Sequence, residues 1–137
     1  MTGAFGGGTG GAGGVCPCGS GVAYDRCCGP FHRGEETAPT AEALMRSRYA
    51  AFALGLPDHL LATWHPRTRP ATVDLDPALE WVRLEVTDTS GGGPDDTEGE
   101  VEFTAHHRDG GRAGRLHERS RFTRRGGRWL YVEGDVR

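Results

Sequence analysis

The sequence predicts an α+β fold with a small cysteine-rich segment in front of it. All four cysteines lie between residues 16 and 28. Apolar residues then recur at helical spacing up to about residue 64, and from about residue 80 they alternate with a period of two. Helices followed by consecutive strands are typical of helices packed on one face of an antiparallel sheet. We therefore expect three parts, residues 1–14, 15–36 and 37–137.

The first part is a glycine-rich arm, in which eight of residues 1–14 are glycine. Ordering such a segment costs much conformational entropy and buries few side chains, so we expect it to be disordered. A glycine-rich loop that binds phosphate is the alternative. Such a loop requires a preceding strand and a following helix, and the sequence predicts neither.

The second part carries the cysteines, arranged as C-x-C, eight residues, and then C-C. Four thiolates suit a closed tetrahedral site for one structural zinc ion per chain. A disulfide framework fits less well, because we expect no secretory signal before the cluster. A redox-active Cys27–Cys28 pair and a cluster of reduced thiols remain as alternatives. His32 could replace one ligand, although a solvated histidine in a loop over residues 29–39 is the simpler interpretation. The predicted ligands are Cys16, Cys18, Cys27 and Cys28.

The third part begins with two helices. We expect Thr40 to cap a helix that runs to about Leu54 and ends at Gly55. Pro57 fits the first turn of a short second helix, which ends by Pro66. The apolar residues of the first helix fall on one face that would pack on a sheet. That face consists of Leu44, Met45, Tyr49, Phe52 and Ala53, with Arg46 and Arg48 beside it.

Four strands follow as a meander. The first strand is predicted to have two distinct faces, one with Val82, Leu84 and Val86 and the other with Trp81, Arg83, Glu85 and Thr87. Glycine-containing turns separate the strands. A sheet of this kind, curved around the helices, would form a cone with a mouth at one end. The predicted strands cover residues 80–87, 100–106, 114–123 and 128–133.

Several motifs in this order resemble a known family. The segment CPCGSG, followed by Tyr24 and CCG, matches the SEC-C zinc motif. Residues 43–49 (ALMRSRY), 63–66 (TWHP) and 116–122 (LHERSRF) then resemble the YchJ family of bacterial proteins. The similarity covers about residues 15–133. It implies a cystatin/nuclear-transport-factor-2-like domain behind the zinc motif, with helices packed on a curved four-stranded antiparallel sheet. The family has no established biochemical activity.

A pocket in the predicted cone is a second candidate site. Glu118 shares a strand face with Leu116 and Phe122, so its carboxylate either pairs with an arginine such as Arg46 or Arg48 or does acid–base work. We favour the ion pair. Aromatic residues beside a histidine could line a ligand pocket, although an ordinary core is the simpler interpretation. The candidate pocket residues are Arg46, Tyr49, Trp64, His65, Trp81 and Glu118, with Asp88 as a further nominal base.

Charge is distributed unevenly along the chain, although its net charge is only −3. Residues 71–102 carry ten acidic side chains and one arginine, whereas residues 106–128 carry eight arginines and two acidic side chains. Ion pairs between neighbouring strands are the simpler interpretation. The alternative is a basic patch that contacts phosphate, including RNA. Its candidate residues are Arg108, Arg112, Arg124, Arg125 and Arg128.

The sequence favours a non-catalytic interaction protein over an enzyme, because a closed four-cysteine site leaves no open coordination position. The resemblance implies docking to a protein or ribonucleoprotein partner, since SEC-C motifs elsewhere bind protein partners such as the secretion chaperone SecB. A small-ligand binder or an isomerase- or hydrolase-type enzyme using the cone pocket is the first alternative, and RNA binding is the second. We expect a cytoplasmic protein without a membrane span. The chain has no lysine, which excludes Schiff-base and P-loop lysine chemistry.

Overall fold

The computed structural model describes residues 14–137, so the predicted disorder of the glycine-rich arm lies outside the described residues except for Gly14. A 3-10 turn and three helices come first, and four strands follow. The strands form one antiparallel sheet in the order β1-β2-β3-β4. The α+β prediction is therefore confirmed. The helices are α1 (Gly29–His32), α2 (Ala41–Leu54) and α3 (Pro57–Ala62), and the strands are β1 (Leu79–Gly91), β2 (Glu98–Asp109), β3 (Arg112–Arg125) and β4 (Arg128–Val136).

Helix α2 has the caps that its sequence predicts. The Thr40 hydroxyl accepts a hydrogen bond from the Ala43 amide at 3.0 Å, which satisfies one of the free N–H groups of the first turn. Gly55 ends the helix with a φ of 74°, a left-handed conformation that favours glycine. None of the helices in residues 14–137 has the length and apolar character needed to span a bilayer.

The buried face of α2 differs from the predicted one at two positions. Arg48, which we expected beside the face, is buried with only 6% of its surface exposed. Phe52, which we expected inside, is 36% exposed at the end of the helix. The helix therefore turns its Arg48 side towards the sheet, and Phe52 lies only at the edge of the core.

The predicted faces of β1 are wrong at Trp81 and Val82, because the strand contains a β-bulge there and a second one further along. Trp81 pairs with His107 and Arg83 with His106, so Val82 is an extra residue, and Thr87 is extra in the same way further along. A bulge shifts the alternation by one residue and bends the strand. Val82 is consequently 50% exposed, while Trp81 packs against the core together with buried Leu84.

The main core lies between α2 and one face of the sheet. Leu44, Met45 and Tyr49 from the helix pack against Phe103 of β2 and Phe122 of β3. The segment after α3 joins the edge of the sheet, because the Tyr131 amide donates to the Thr63 carbonyl at 2.8 Å and the His65 amide donates to the Tyr131 carbonyl at 2.8 Å. This pairing holds Trp64 and β4 together at one end of the core.

Candidate functional site

The four cysteines converge on one point of a small segment that precedes α2, residues 15–28, which we call the knuckle. The Cys16 amide donates to the Val22 carbonyl at 2.8 Å and closes a loop that carries Cys18. Gly19 and Gly21 turn this loop with φ values of 86° and 81°, which side chains with a Cβ rarely adopt. The four Sγ atoms all lie within 4.8 Å of one another.

These distances fit a tetrahedral metal ion. A metal–sulfur bond of about 2.3 Å places the sulfurs of a tetrahedral site roughly 3.8 Å apart. The Sγ atom of Cys27 lies 3.6 Å from that of Cys18 and 4.0 Å from that of Cys28. The Ser20 hydroxyl lies 3.1 Å from the Cys27 sulfur and supports it from outside the cluster. Cys16, Cys18, Cys27 and Cys28 could therefore hold a metal ion.

The protonation of the cluster also favours a cation. Contact with Cys18 raises the pKa of Cys16 to about 12, and contact with Cys16 raises the pKa of Cys28. Hydrogen bonds from Cys16 and Cys28 lower the pKa of Cys18. The sulfurs thus share protons, because four adjacent thiolates would repel one another in a buried site. A bound metal cation would remove this repulsion and allow all four cysteines to ionise.

Two side chains of the chain fasten the knuckle to α2. Arg46 donates to the Cys18 carbonyl at 2.8 Å and pairs with Glu42 at 3.0 Å. His32 accepts from the Tyr24 hydroxyl at 2.6 Å, and its Nε2 donates to the Ser47 carbonyl at 2.8 Å. Burial lowers the pKa of His32, so the neutral form makes these contacts. Arg46 and His32 therefore hold the metal candidate against the second part of the fold.

His32 is not the solvated loop histidine that the sequence suggested. Residues 29–32 form helix α1, and the ring of His32 lies half-buried between the knuckle and α2. Its Nδ1 and Nε2 atoms both contact other residues, so it is not a candidate ligand in this arrangement. The predicted loop misses this helix because four residues, beginning with Gly29-Pro30, carry too little periodicity to be recognised.

A cavity of about 260 Å³ lies between α2 and the sheet. Tyr49, Trp64, Trp81 and Glu118 of the candidate pocket residues line it. Arg46 does not, because it faces the knuckle, and neither does His65, because it lies in the turn beyond α3. Sequence reasoning missed Arg48, Phe52, Ser120 and Tyr131, which also line the cavity.

The expected ion pair of Glu118 is absent within residues 14–137. Its carboxylate accepts a hydrogen bond from the Ser120 hydroxyl at 2.6 Å. Arg46 lies at the knuckle, and the Nη1 atom of Arg48 donates to the Leu60 carbonyl and the Thr63 hydroxyl, both at 2.8 Å. Glu118 reaches its position because Gly134, opposite Ser120 in the sheet, has no Cβ to collide with it.

The five candidate phosphate-binding arginines do not form one patch. Arg108 and Arg112 lie at the β2–β3 turn, whereas the other three lie at the β3–β4 turn. Strand β3 separates the turns, and its 14 residues span about 45 Å at the usual rise per residue. Arg124 donates to carbonyl oxygens of the β1–β2 loop, and Arg128 donates to the Ala62 carbonyl.

Many charged side chains of the sheet form ion pairs between strands, which agrees with the simpler interpretation of the uneven charge distribution. Arg119 of β3 contacts three carboxylates on the two preceding strands, and these partners raise the pKa of its guanidinium above the usual range. His117 pairs with one of the same carboxylates at 2.6 Å. The three partners of Arg119 are Asp88, Glu100 and Glu102. Asp88, a nominal base, therefore lies on the face of the sheet opposite the cavity.

Comparisons with known proteins identify both parts of the chain. Residues 15–30 match the SEC-C motif, and residues 40–134 match the domain described as YchJ, middle NTF2-like domain. A UPF0225 protein of Streptomyces coelicolor is 55% identical over 120 residues, which cover 88% of this chain and 94% of the relative. A UPF0225 protein of Corynebacterium efficiens is 54% identical over 121 residues, covering 88% and 92%.

Two solved structures have the same fold. The solution structure of a SEC-C motif containing protein from Rhodopseudomonas palustris superposes with a TM-score of 0.79 at 40% identity and covers 89% of this chain and 98% of that one. The crystal structure of a SEC-C motif containing protein from Psychrobacter arcticus gives a TM-score of 0.72 at 26% identity, covering 89% and 82%. The chain therefore belongs to the YchJ family and joins a SEC-C motif, a metal-binding motif, to an NTF2-like domain.

Proposed function

We propose that this protein is a zinc-dependent docking protein, in which the knuckle binds a protein or ribonucleoprotein partner. The observation that carries the proposal is the knuckle itself, whose four sulfurs converge within 4.8 Å while residues 19–22 and 25–26 are exposed. A closed four-sulfur site folds and rigidifies a short segment, and it leaves no coordination position for a substrate.

Zinc is the metal that this donor set favours. Thiolate ligands select soft or borderline ions, and zinc accepts four sulfurs in a tetrahedron without redox chemistry. The ligands would be the four cysteines of the knuckle, and the ion would supply the binding free energy that fixes the loop around them. We expect about one ion per chain.

The metal test replaces Cys18, which is fully buried, by serine. Purified wild-type protein should contain about one zinc ion per chain by elemental mass spectrometry, and Cys18→Ser should retain much less after dialysis, because one thiolate ligand is lost. Arg26→Ala is the matched control in the same segment, since Arg26 is exposed and its replacement keeps all four sulfurs and the Ser20 hydroxyl. Equal zinc retention by wild type and Cys18→Ser would refute the ligand assignment.

The exposed apolar side chains of the knuckle mark the docking surface. Val15 is 63% exposed and Val22 is 41% exposed. Val15 forms a short bridge with Ala23, and Val22 directly precedes Ala23, so both valines are held by backbone hydrogen bonds and not by burial. Exposed apolar groups on a rigid segment lose little entropy on binding, which supports contact with a partner at this point.

The docking test is a pull-down from a bacterial lysate with the double variant Val15→Ser/Val22→Ser. We expect a partner captured by wild type to be reduced at least about tenfold, which corresponds to about 1.4 kcal/mol. Val82→Ser removes an equally exposed valine from β1 and should capture the partner as wild type does. Zinc content is measured in each variant to show that the knuckle is intact. Undiminished capture by the double variant would place the contact elsewhere.

A further inference from the structure

The cavity between α2 and the sheet has the composition of a small-molecule site. Seven of its thirteen lining residues are aromatic, and its volume is about 260 Å³. Pockets for drug-sized ligands begin at roughly 300 Å³ and are mostly apolar with a few placed polar groups. The volume therefore suits a molecule with one or two rings. Metal binding and partner docking by the knuckle do not use this space.

Arg48 is a fixed hydrogen-bond donor in the wall of the cavity. Its guanidinium carbon lies 4.9 Å from the ring centre of Trp64 and 4.5 Å from that of Tyr131, so the cation is held between two aromatic faces. Both hydrogen bonds that it makes within residues 14–137 use Nη1. The Nε and Nη2 groups therefore remain for a ligand.

Glu118 supplies the opposite charge on the sheet side of the cavity. Its carboxylate accepts from Ser120, and no basic group of residues 14–137 lies within 4.0 Å of it. The two charged groups of the cavity, Arg48 and Glu118, are thus not paired with each other. Each charged group has only neutral hydrogen-bond partners, so its charge is left for contact with a ligand.

The charges of the lining decide the charge of the ligand. Arg48 and Glu118 together contribute no net charge. A carboxylate ligand would be attracted by Arg48 and repelled by Glu118, and an ammonium ligand the reverse, so the two effects largely offset each other in surroundings that screen charge poorly. A neutral ligand avoids the cost of removing a charged group from water.

The donors of the lining decide which polar atom the ligand presents. The free Nε and Nη2 groups of Arg48 are donors only, so a ligand atom that faces them must be an acceptor. The Nε1 group of Trp64 is not among these donors, because it is buried and has almost no surface open to a ligand.

We propose that this cavity binds a small neutral aromatic molecule with a carbonyl or amide oxygen, which accepts hydrogen bonds from Arg48. An N–H or O–H group of the same molecule would face the carboxylate of Glu118. The aromatic lining contacts its ring. Trp81 and Phe52, whose ring centres lie 6.1 Å apart, form part of the wall near the exposed end of α2.

The test uses benzamide, benzoate and benzylammonium, which share one ring and differ in charge. Binding to the full chain is followed through the three indole N–H signals in a nitrogen-15 correlation spectrum. We expect benzamide to bind most tightly and to shift the Trp64 and Trp81 signals. The Trp129 signal should stay in place, because this indole lies outside the cavity and donates to the Pro39 carbonyl.

Glu118→Gln tests the charge argument while keeping the shape of the side chain. With the negative charge removed, benzoate affinity should rise at least about tenfold, whereas benzamide affinity should change by less than about threefold. Ala105→Leu tests the location, because Ala105 is 2% exposed and lines the cavity. Leucine there should abolish the benzamide shifts, and Ala113→Leu, at an exposed position of β3, should not.

Several results would overturn the proposal. These are tighter binding of either charged probe to wild type, equal shifts of all three indole signals, or no shift with any probe. Unchanged benzoate affinity in Glu118→Gln or full benzamide binding by a folded Ala105→Leu protein would do the same. If Ala105→Leu does not fold, the wild-type indole pattern and Glu118→Gln still decide the matter.

Discussion

His59 shows how a single half-buried side chain couples this fold to pH. Its Nε2 group donates to the Ser47 hydroxyl at 3.0 Å, and its ring lies 4.6 Å from that of His32. Burial, followed by the nearby His32 and Arg48, lowers the pKa of His59 to about 4. The imidazole is therefore neutral in the folded protein at pH values where the unfolded chain binds a proton.

The sign of this effect follows from proton binding. Between the ordinary histidine pKa of about 6.5 and the folded value of about 4, the unfolded chain holds more protons. The contribution of His59 to stability is complete above pH 6.5 and is lost as the pH falls towards 4. We expect His59→Gln to lose less stability over this interval than wild type, by roughly 1–2 kcal/mol after allowance for partial exposure.

Urea unfolding at several pH values, followed by tryptophan fluorescence, measures this difference. The cysteines are the same in both proteins, so acid release of a metal affects both alike. His106→Gln, on the outer face of the sheet beside Glu85, controls for the loss of a histidine as such. A pH profile of His59→Gln that parallels wild type would contradict the expectation.

At the scale of the element, the clearest sequence-determined feature is the start of α2. The helix carries Arg46 and Ser47 towards the knuckle and Arg48 and Tyr49 towards the cavity, so both candidate sites depend on its position. Its first turn depends on the Thr40 hydroxyl, which accepts from the Ala43 amide. No other side chain of the described residues caps that end.

Thr40→Ala should destabilise the protein by about 1 kcal/mol, the usual cost of losing an N-cap hydroxyl. For a domain of this size, thermal unfolding should shift down by about 3–5 °C. Thr40→Ser keeps the hydroxyl and should restore most of the lost stability, whereas Thr37→Ala, in the exposed segment before the helix, should leave the midpoint unchanged. Equal midpoints for Thr40→Ala and Thr40→Ser would show that the cap contributes little.

The strands show where element-level reasoning ends. Their existence and order follow from alternation and from glycine turns, but the bulges in β1 do not, because the extra residue is specified by pairing with β2. Trp81 enters the cavity wall only because Val82 is extra. Regular alternation of apolar and polar residues therefore assigns some side chains to the wrong face of a strand that contains a bulge.

For the molecule as a whole, two packed clusters within residues 14–137 meet on α2. One consists of Cys16, Cys18 and Cys28 with Ala50, and the other is the main core between α2 and the sheet. A 14-residue helix with a buried side towards each cluster makes the knuckle and the NTF2-like domain neighbours. The proposed docking surface and the proposed ligand cavity consequently lie on opposite sides of one helix.

The cysteine cluster, the caps of α2 and the order of helices and strands can be predicted from the amino-acid sequence. These features depend on residues close together in the chain, whose spacing is visible as a pattern. The sequence also indicates the family, because residues 15–30 match the SEC-C motif and residues 40–134 match the middle NTF2-like domain.

Which of the distant polar residues meet cannot be predicted in this way and is seen first in the folded chain. Arg46 contacts the knuckle and not the candidate pocket, whereas Arg48 lines that pocket. Glu118 accepts a hydrogen bond from Ser120 and does not pair with an arginine. The five arginines of the predicted basic patch lie at two ends of β3. Contacts between residues far apart in the chain depend on register, bulges and the rotation of a helix. A change of one residue in any of these moves a side chain to another face, and no local pattern records that choice.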